Sequence, residues 1–301
     1  MNTLILRGNV FLFCTALIWG TTFVAQRVGM EHIGPFTFNF VRFSLGALFL
    51  APFAWRIQKG SPRKTSYKSS KDKWLPLWGG SLAGLLMCIG INLQQIGLVY
   101  TTAGNAGFIT GLYVILVPII GILFGLKTGW GPWIGAPLGV IGLYLISVTE
   151  SFNLSPGDGW VVACSFAWAG HILLVGWLSP KMKSFILAFT QAAVCATLSL
   201  IAAILAEEIT LLSILDTWFP LIYSGIITTG IAFTLQVIGQ KNSPPAHAAI
   251  ILQLEAVVAA FSGWFFLGEA MGVKAVIGAC LMLAGMLFAQ LRAFKKSNLR
   301  I

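Results

Sequence analysis

Two ionisable side chains lie inside long apolar stretches of the sequence and are the first candidates for chemistry. Arg42 falls in the stretch 36–55, and Glu255 falls in the stretch 246–267. A charged group at the centre of a membrane costs about 2.5–3.5 kcal/mol, so such residues usually face the interior of a helix bundle. At about 1.5 Å per helical residue, Arg42 is roughly 9 Å and Glu255 roughly 14 Å from the nearer end of its stretch.

Each of these side chains has a functional and a structural interpretation. Arg42 either binds an anionic or carboxylate group in a cavity, or ties its helix to neighbouring carbonyl oxygens and the membrane interface. Glu255 either recognises a cation or exchanges a proton, or it pairs with Arg42 or makes a polar contact between helices. His171, also in an apolar stretch, is either a proton relay or the hydrogen-bond partner of a neighbouring helix.

Uncharged polar side chains recur in the same stretches at helical spacing. Trp19, Thr22 and Gln26 are three and four residues apart, so a helix places them on one face. Asn92 and Gln95 are related in the same way. Helix faces with such side chains predict a cavity that water can enter.

The candidate cavity is lined by polar residues from several helices. Hydrogen bonds between helices, worth about 0.6 kcal/mol each, would also explain any single member of the set. Trp19 and Trp168 either stack on a bound molecule or pack between helices. The candidate cavity residues are Trp19, Thr22, Gln26, Arg42, Asn92, Gln95, Asn105, Thr110, Tyr113, Trp168, His171, Gln191, Gln236 and Gln253, and Glu255 is the candidate for proton coupling or gating.

Composition indicates a membrane protein. Of the 301 residues, 57% are hydrophobic and 9% are charged, whereas soluble domains carry about 25% charged residues. The net charge of +10 does not indicate nucleic-acid binding, because the basic residues sit in short gaps between apolar runs. No P-loop, HExxH or dinucleotide-binding motif is found, so we expect no cofactor and no enzymatic activity.

Hydropathy predicts an all-α integral membrane protein with ten transmembrane helices, because about 20 apolar residues cross a bilayer as a helix. Most of the gaps between them are short, so successive helices run antiparallel. The predicted spans are 9–27, 36–55, 75–98, 103–125, 131–148, 159–178, 184–206, 218–240, 246–267 and 272–291.

The distribution of charge predicts the orientation of these spans. With the N-terminus in the cytoplasm, sixteen of the 19 Lys and Arg residues fall in cytoplasmic gaps or tails. Seven of the nine acidic residues fall on the outer side. Because basic residues concentrate on the cytoplasmic side of membrane proteins, ten helices with both termini cytoplasmic is the predicted topology.

The two halves of the chain resemble each other weakly. At an offset of 149, Trp19 corresponds to Trp168, and at 143, Gly142 corresponds to Gly285. These matches predict two repeats, residues 1–150 (helices 1–5) and 151–301 (helices 6–10). Five spans per repeat is an odd number, so the second repeat is inverted in the membrane, an arrangement typical of carriers that bind substrate between the halves. Duplication without such a role is the alternative.

Three segments carry a resemblance to a known family. They are ALIWGTTFVAQRVGMEHIGPFTFNFVRF, IGLVYTTAGNAGFITGLYVILVPIIG and LQLEAVVAAFSGWFFLGEAMGVKAVIGACLMLAGMLFA. The chain resembles the EamA-type proteins of the drug/metabolite transporter superfamily. The family commonly has LEPV where this chain has Ala256 after Glu255, so we expect the ninth span to be less kinked here. Pro118, inside the fourth span, is a candidate hinge.

The resemblance implies a secondary or facilitative transporter, more often an exporter, of small metabolites such as amino acids, or of drugs. Its partners would be a small-molecule substrate, the lipid bilayer and, as a candidate coupling ion, the proton. No nucleic acid is expected, and the oligomeric state is either monomer or homodimer. The expected location is the inner or plasma membrane. A channel, a non-transporting receptor or scaffold, and an intramembrane enzyme are the alternatives.

Overall fold

The computed structural model describes residues 3–59, 70–100, 103–147, 156–268 and 272–291, and these residues form helices and short turns. Helices suit a chain in lipid because they satisfy every backbone hydrogen bond within one segment. The helices are α1 (Thr3–Gly29), α2 (Pro35–Lys59), α3 (Ser70–Tyr100), α4 (Ala103–Gly111), α5 (Tyr113–Leu123), α6 (Trp130–Ser147), α7 (Asp158–Leu178), α8 (Ser184–Ala206), α9 (Leu211–Asp216), α10 (Trp218–Ile222), α11 (Phe233–Gln240), α12 (Pro245–Leu252), α13 (Glu255–Leu267) and α14 (Val273–Leu291), with a π-helical segment, Tyr223–Ala232, between α10 and α11.

Apolar length makes this a multi-pass membrane protein. Within the described residues, seven helical stretches are long and apolar enough to cross a membrane, and two shorter apolar helices accompany them. Each of the ten predicted spans coincides with helix in the structure. That all ten cross the membrane, with both termini in the cytoplasm, stays a prediction. The seven stretches are Thr3–Gly29, Pro35–Lys59, Trp74–Tyr100, Asp158–Leu178, Ser184–Ala206, Trp218–Gln240 and Pro245–Phe266.

The fourth span of each half is broken at an equivalent place. Leu112 separates α4 from α5 with φ −59° and ψ −17°, and Leu254 precedes α13 with φ −60° and ψ −13°. Each donates its backbone N–H over 3.2 Å to the carbonyl oxygen three residues before it, which is 3₁₀ geometry. Each break is followed directly by a residue that begins a new helix, Tyr113 in α5 and Glu255 in α13.

These breaks bear on two expectations. The ninth span is interrupted even though Ala256 stands where the family commonly has proline, since α12 ends at Leu252 and α13 begins at Glu255. That it is less kinked than in relatives with proline stays a prediction. Pro118, the candidate hinge of the fourth span, lies inside α5 rather than at the break. A tight turn in the hydrogen-bond ladder needs no proline when neighbouring helices hold both helical pieces.

Helices of the first half pack against helices of the second half. α6 packs along α14, α2 packs along α8, and α3 packs against both α7 and α8. Small residues permit the closest approaches. A Cβ at Gly142 would overlap the carbonyl oxygen of Gly278, and a Cβ at Gly285 would lie 2.7 Å from the carbonyl oxygen of Gly135. The α6–α14 interface therefore depends on bare backbone at both positions.

Charged side chains from the second half bind both ends of α2. At its N-terminus, Glu207 accepts hydrogen bonds from the backbone N–H groups of Phe36 and Thr37, each 2.8 Å, and from the Thr37 hydroxyl, 2.6 Å. At its C-terminal end, the Lys183 ammonium donates to the carbonyl oxygen of Ile57 at 3.1 Å. Each charge has the sign that the helix dipole favours at that end.

Candidate functional site

A cavity of about 40 Å³ lies where the two halves meet. Its α1 residues come from the C-terminal part of that helix and its α2 residue from the N-terminal part, so the cavity lies toward the end of the bundle where α1 ends and α2 begins. It is lined by Trp19, Thr22, Phe23, Gln26, Arg42, Ile91, Gln94, Thr110, Tyr113, Trp168, Ile172, Thr228, Phe233 and Glu255.

Contacts close the bundle at the other end, near the N-terminus of α1. The Ser243 hydroxyl donates to Asn9 at 3.3 Å, which joins the turn after α11 to α1. The Gln240 amide donates to the carbonyl oxygen of Ile172 at 2.8 Å, which joins α11 to α7. The two bonds tie the C-terminal end of α11 and the turn after it to α7 and α1.

One wall of the cavity is aromatic. The ring of Phe233 lies 4.8 Å from Trp19 and 6.2 Å from Trp168, and the Phe233 and Trp168 planes are within 16° of parallel. The two tryptophan rings are themselves 6.1 Å apart. Among the described residues neither indole N–H has a hydrogen-bond partner. The wall therefore offers flat apolar surface, which suits an apolar or aromatic group.

Arg42 contributes a buried cation to the cavity. The residue is 1% exposed, and its guanidinium carbon lies 4.9 Å from the centre of the Phe43 ring and 5.5 Å from that of Phe38. Aromatic faces stabilise a cation but do not satisfy its N–H donors. Nε and Nη2 have no hydrogen-bond partner within the described residues. Because unpaired buried donors are costly, an anionic ligand in the cavity would be stabilised strongly.

Glu255 contributes the one carboxyl group among the lining residues. The Tyr113 hydroxyl donates a hydrogen bond to its Oε1 at 3.2 Å. Glu255 is the first residue of α13, where the helix dipole favours negative charge. No ion pair joins Glu255 to Arg42, both of which lie in the described part of the chain. The cavity thus presents a cation and a carboxyl group that are separately available to a ligand.

Two hydrogen-bonded polar pairs complete the lining of the cavity. The hydroxyls of Thr22 and Thr228 are 2.7 Å apart, and they join α1 to the π-helical segment. The Gln94 amide donates to the Thr110 hydroxyl at 3.3 Å, which joins α3 to α4. Gln26 is the last of the α1 residues that line the cavity, and its side-chain oxygen Oε1 has no hydrogen-bond partner among the described residues.

Eight of the predicted residues come together at the cavity, and the others lie elsewhere. Trp19, Thr22, Gln26, Arg42, Thr110, Tyr113, Trp168 and Glu255 line it. Asn92, Gln95, His171, Gln191, Gln236 and Gln253 are buried outside the lining. Asn105 is in α4, but its side chain falls outside the described residues.

The residues outside the lining form contacts behind the wall. Asn39 donates to Asn92 at 2.8 Å, and Asn92 donates to the Ser199 hydroxyl at 3.1 Å. His171 donates to the Gln191 carbonyl oxygen at 3.2 Å and meets the Trp168 ring edge-on at 5.5 Å. These residues hold α2, α3, α7 and α8 together and orient residues of the wall.

Sequence reasoning did not select six of the lining residues. Gln94 and Thr228 are polar but were not chosen, and the other four, Phe23, Ile91, Ile172 and Phe233, were missed because polarity was the criterion. The internal repeat pairs these four with one another, since Phe23 corresponds to Ile172 at the offset of 149 and Ile91 corresponds to Phe233 at 142.

Metal ligands are not concentrated in this part of the molecule. Across the described residues, no group of three or more His, Cys, Asp and Glu side chains lies close enough to hold a metal ion. The cysteines in the described residues are free thiols, and Cys88 and Cys195 are buried near Arg42 rather than exposed to a ligand.

The fold and the cavity define a class of protein. A multi-pass helical bundle with a polar and aromatic chamber between two sets of spans is the architecture of a small-molecule transporter. Comparison with known sequences identifies the family. The sequence profile of the EamA-like transporter family matches residues 6–148 and again residues 155–290, and the chain belongs to this family.

Known relatives are similar over nearly the whole chain. An uncharacterized transporter of Archaeoglobus fulgidus is 31% identical over 291 residues, covering 95% of this chain and 87% of the relative. The uncharacterized inner membrane transporter YedA of Escherichia coli K12 is 26% identical over 270 residues, covering 86% of this chain and 82% of YedA. A solved crystal structure with 18% identity superposes with a TM-score of 0.76 over 96% of this chain and 98% of that chain, a likeness of fold.

Proposed function

We propose that the chain is a secondary or facilitative carrier that exports a small carboxylate-bearing metabolite, such as an amino acid, by alternating access. The observation that carries the substrate class is Arg42, a buried cation in the cavity with two donors left without partners. A guanidinium binds a carboxylate through paired hydrogen bonds, and burial makes those bonds stronger than they would be in water. The aromatic wall would receive the apolar part of the same molecule.

Two inverted repeats, residues 1–150 and 151–301, are part of the proposal. The family profile matches the chain twice, once in each half. The helix breaks at Leu112 and Leu254 have nearly the same backbone angles. Contacts between the halves also recur in exchanged form, because α3 packs on α8 as the π-helical segment packs on α2. These recurrences support a pseudo-two-fold axis that relates the halves.

The cavity would lie on that axis. Trp19 and Trp168 are equivalent at the offset of 149, and their rings are 6.1 Å apart. Tyr113 and Glu255 are equivalent at 142, and they share a hydrogen bond. Equivalent residues meet each other only near a two-fold axis. A substrate held there touches both halves at once, which is what alternating access requires.

Glu255 is the proposed site of proton coupling. Its carboxyl group lines the cavity and has one hydrogen-bond donor, Tyr113, rather than a permanent cation as a partner. A carboxyl group without a fixed counter-ion can take up and release a proton as access to water changes. His171, which bonds Gln191 and meets the Trp168 ring edge-on, is proposed to position Trp168 in the wall of the cavity.

The proposed membrane is the inner membrane, with ten spans and both termini in the cytoplasm. The inner membrane is supported by the name of the relative YedA. The topology is supported by the basic residues, which lie mainly on one side. The contacts of Ser243 and Gln240 would then close the cytoplasmic side, leaving the cavity nearer the outer side.

Counterflow into liposomes tests the proposal. The purified protein would be reconstituted and loaded with L-phenylalanine or 3-phenylpropionate, and uptake of the labelled compound would be measured with and without a pH gradient. We expect saturable counterflow that Arg42→Gln abolishes. The control is Arg56→Gln, which changes an exposed arginine of the same helix and should leave flux unchanged. Flux that does not saturate would indicate a channel, and no flux of either carboxylate would contradict the substrate class.

A further inference from the structure

The third spans of the two halves differ in their helical geometry. α3 is one continuous α-helix from Ser70 to Tyr100, whereas its counterpart contains the π-helical segment Tyr223–Ala232. In that segment the Phe233 N–H bonds the carbonyl oxygen of Thr228, five residues before it. The Thr229 hydroxyl likewise donates to the carbonyl oxygen of Ser224 at 3.0 Å, again five residues back. The backbone there is wound more widely than an α-helix.

Two glycine contacts identify a first pair of equivalent positions in the third spans of the two halves. A Cβ at Gly84 would lie 2.8 Å from the carbonyl oxygen of Gln191, and a Cβ at Gly225 would lie 3.0 Å from that of Arg42. Gln191 and Arg42 are themselves equivalent at the offset of 149. Gly84 and Gly225 therefore occupy equivalent positions against the second span of the opposite half.

Two further glycine contacts identify a second pair of equivalent positions, nearer the C-terminal ends of the same two spans. A Cβ at Gly97 would lie 3.1 Å from the carbonyl oxygen of Gly157, and a Cβ at Gly239 would lie 2.8 Å from that of Gly8. Gly157 and Gly8 are also equivalent at 149. Gly97 follows Gly84 by 13 residues, but Gly239 follows Gly225 by 14. The second half thus holds one extra residue between two fixed points, and the widened turn accommodates it.

The widened turn decides which side chain reaches the cavity. Counted from the equivalent glycines Gly84 and Gly225, Thr228 corresponds to Met87. Met87 is fully buried and is not among the described residues that line the cavity. Thr228 does line it, as does Phe233, its neighbour across the turn. Without the extra residue Thr228 would take the place of Met87, behind the wall.

The hydrogen bonds of Thr228 define what it can recognise. The Thr22 hydroxyl donates to the carbonyl oxygen of Ile18 at 2.8 Å, and a hydroxyl has a single proton. In the 2.7 Å bond between the two threonines, Thr228 must therefore be the donor. Its oxygen then has only lone pairs to offer to the cavity. A ligand group that meets Thr228 must itself donate a hydrogen bond.

We propose that the extra residue of the second half makes Thr228 a specificity-determining residue, whose hydroxyl oxygen accepts a hydrogen bond from a donor group of the substrate, an ammonium or a hydroxyl. The inference rests on the proposed transport of a small carboxylate. It adds that the substrate carries a donor beside its apolar part, and that the repeats differ because the two walls meet different groups of one molecule.

Single-residue deletions test the extra residue without any substrate. Deleting Ile231, a half-buried residue of the π-helical segment, should leave a folded protein, because the turn reverts to an α-helix between the same fixed points. The matched deletion of Ile89 in α3 removes a residue that is not surplus and turns all that follows by about 100°. We expect only the second deletion to lose folded protein in thermal unfolding and size-exclusion assays. Equal damage from both would overturn the insertion.

Thiol labelling tests whether the side chain at position 228 faces the cavity. Thr228→Cys should react with 2-aminoethyl methanethiosulfonate, with the modified peptide identified by mass spectrometry. The reaction should be several-fold slower when Ile231 is also deleted. Thr234→Cys, on the same helix and outside the lining, is the control and should stay unreactive. An unreactive Thr228→Cys in the full-length helix would contradict its place in the wall.

Counterflow tests the recognised group. Thr228→Val should raise the KM for L-phenylalanine about tenfold, the usual effect of losing one hydrogen bond to a charged group. It should leave 3-phenylpropionate, which lacks the ammonium, unchanged, and Thr228→Ser should behave as the wild type. The same loss for both compounds would reduce Thr228 to a structural role. If the wild type moves neither compound, donor recognition and the carboxylate proposal both fail, whereas deletion and labelling still decide the insertion.

Discussion

The second spans of the two halves, α2 and α8, carry chemically different residues at one equivalent sequence position. Arg42 and Gln191 are equivalent at the offset of 149. Arg42 faces the cavity with unpaired donors, whereas Gln191 accepts a hydrogen bond from His171 behind the wall. Equivalent positions in the sequence therefore have different surroundings in the structure, one at the cavity and one behind its wall.

The fourth spans likewise carry chemically different residues at equivalent positions. Both break in 3₁₀ geometry at equivalent leucines, and the next residue of each faces the cavity. That residue is Tyr113 in one half and Glu255 in the other. A small substrate has no two-fold symmetry, so a site on the proposed axis would need a donor on one side and an acceptor on the other.

The largest expected effect comes from moving the cation. Arg42→Gln combined with Gln191→Arg keeps the composition but places the guanidinium beside His171. We expect flux of the carboxylate probe to stay at background, at least about a hundredfold below wild type, because a lost charged contact of about 2.7 kcal/mol has this effect. Counterflow measures it. Recovery of flux by the double variant would show that the two positions are interchangeable and that the site is symmetric.

Substitutions of Tyr113 and Glu255 should separate effects on the transport rate from effects on proton coupling. Glu255→Gln removes the only exchangeable proton of the pair that a gradient could use, so its counterflow should no longer respond to pH. Tyr113→Phe removes one hydrogen bond and should keep the pH response while reducing flux several-fold. Rates would be compared across a series of pH gradients. A pH response retained by Glu255→Gln would assign the coupling elsewhere.

The glycine contacts between α6 and α14 should respond alike in both halves. Gly142→Ala and Gly285→Ala each push a methyl group into a backbone carbonyl of the partner helix, and we expect a loss of about 1–3 kcal/mol in stability. Gly159→Ala, which meets nothing within 4 Å, should instead stabilise α7 by up to about 1 kcal/mol through helix propensity. Thermal unfolding in detergent gives the midpoints. A large difference between the two α6–α14 variants would argue against equivalent halves.

The smallest effect is expected at the ends of α2. Glu207→Gln removes a charge that accepts three hydrogen bonds at the helix N-terminus, and we expect a loss of about 0.3–1 kcal/mol. Lys183→Met removes the hydrogen bond to the carbonyl oxygen of Ile57 at the other end and should cost less. Glu208→Gln, an exposed neighbour, is the control. A larger effect of Lys183→Met would mean that the C-terminal contact, rather than the carboxylate, holds α2 to the second half.

The sequence by itself determined the class, the positions of the apolar helices and one face of the site. Hydropathy located the helices because a bilayer requires about 20 apolar residues per crossing, a property of local composition. The spacing of Trp19, Thr22 and Gln26 placed them on one face, and all three line the cavity. Such inferences succeed because helical periodicity is set within a single segment.

Only the tertiary structure decided what each face meets. His171 is equivalent to Thr22 at the offset of 149, yet Thr22 lines the cavity and His171 lies behind it. Periodicity fixes which residues share a face, but the neighbouring helix decides whether that face meets protein or open space. The helix break before Glu255 and the π-helical turn at Thr228 arise in the same way, because packing at both ends holds the backbone in a geometry that local sequence does not demand.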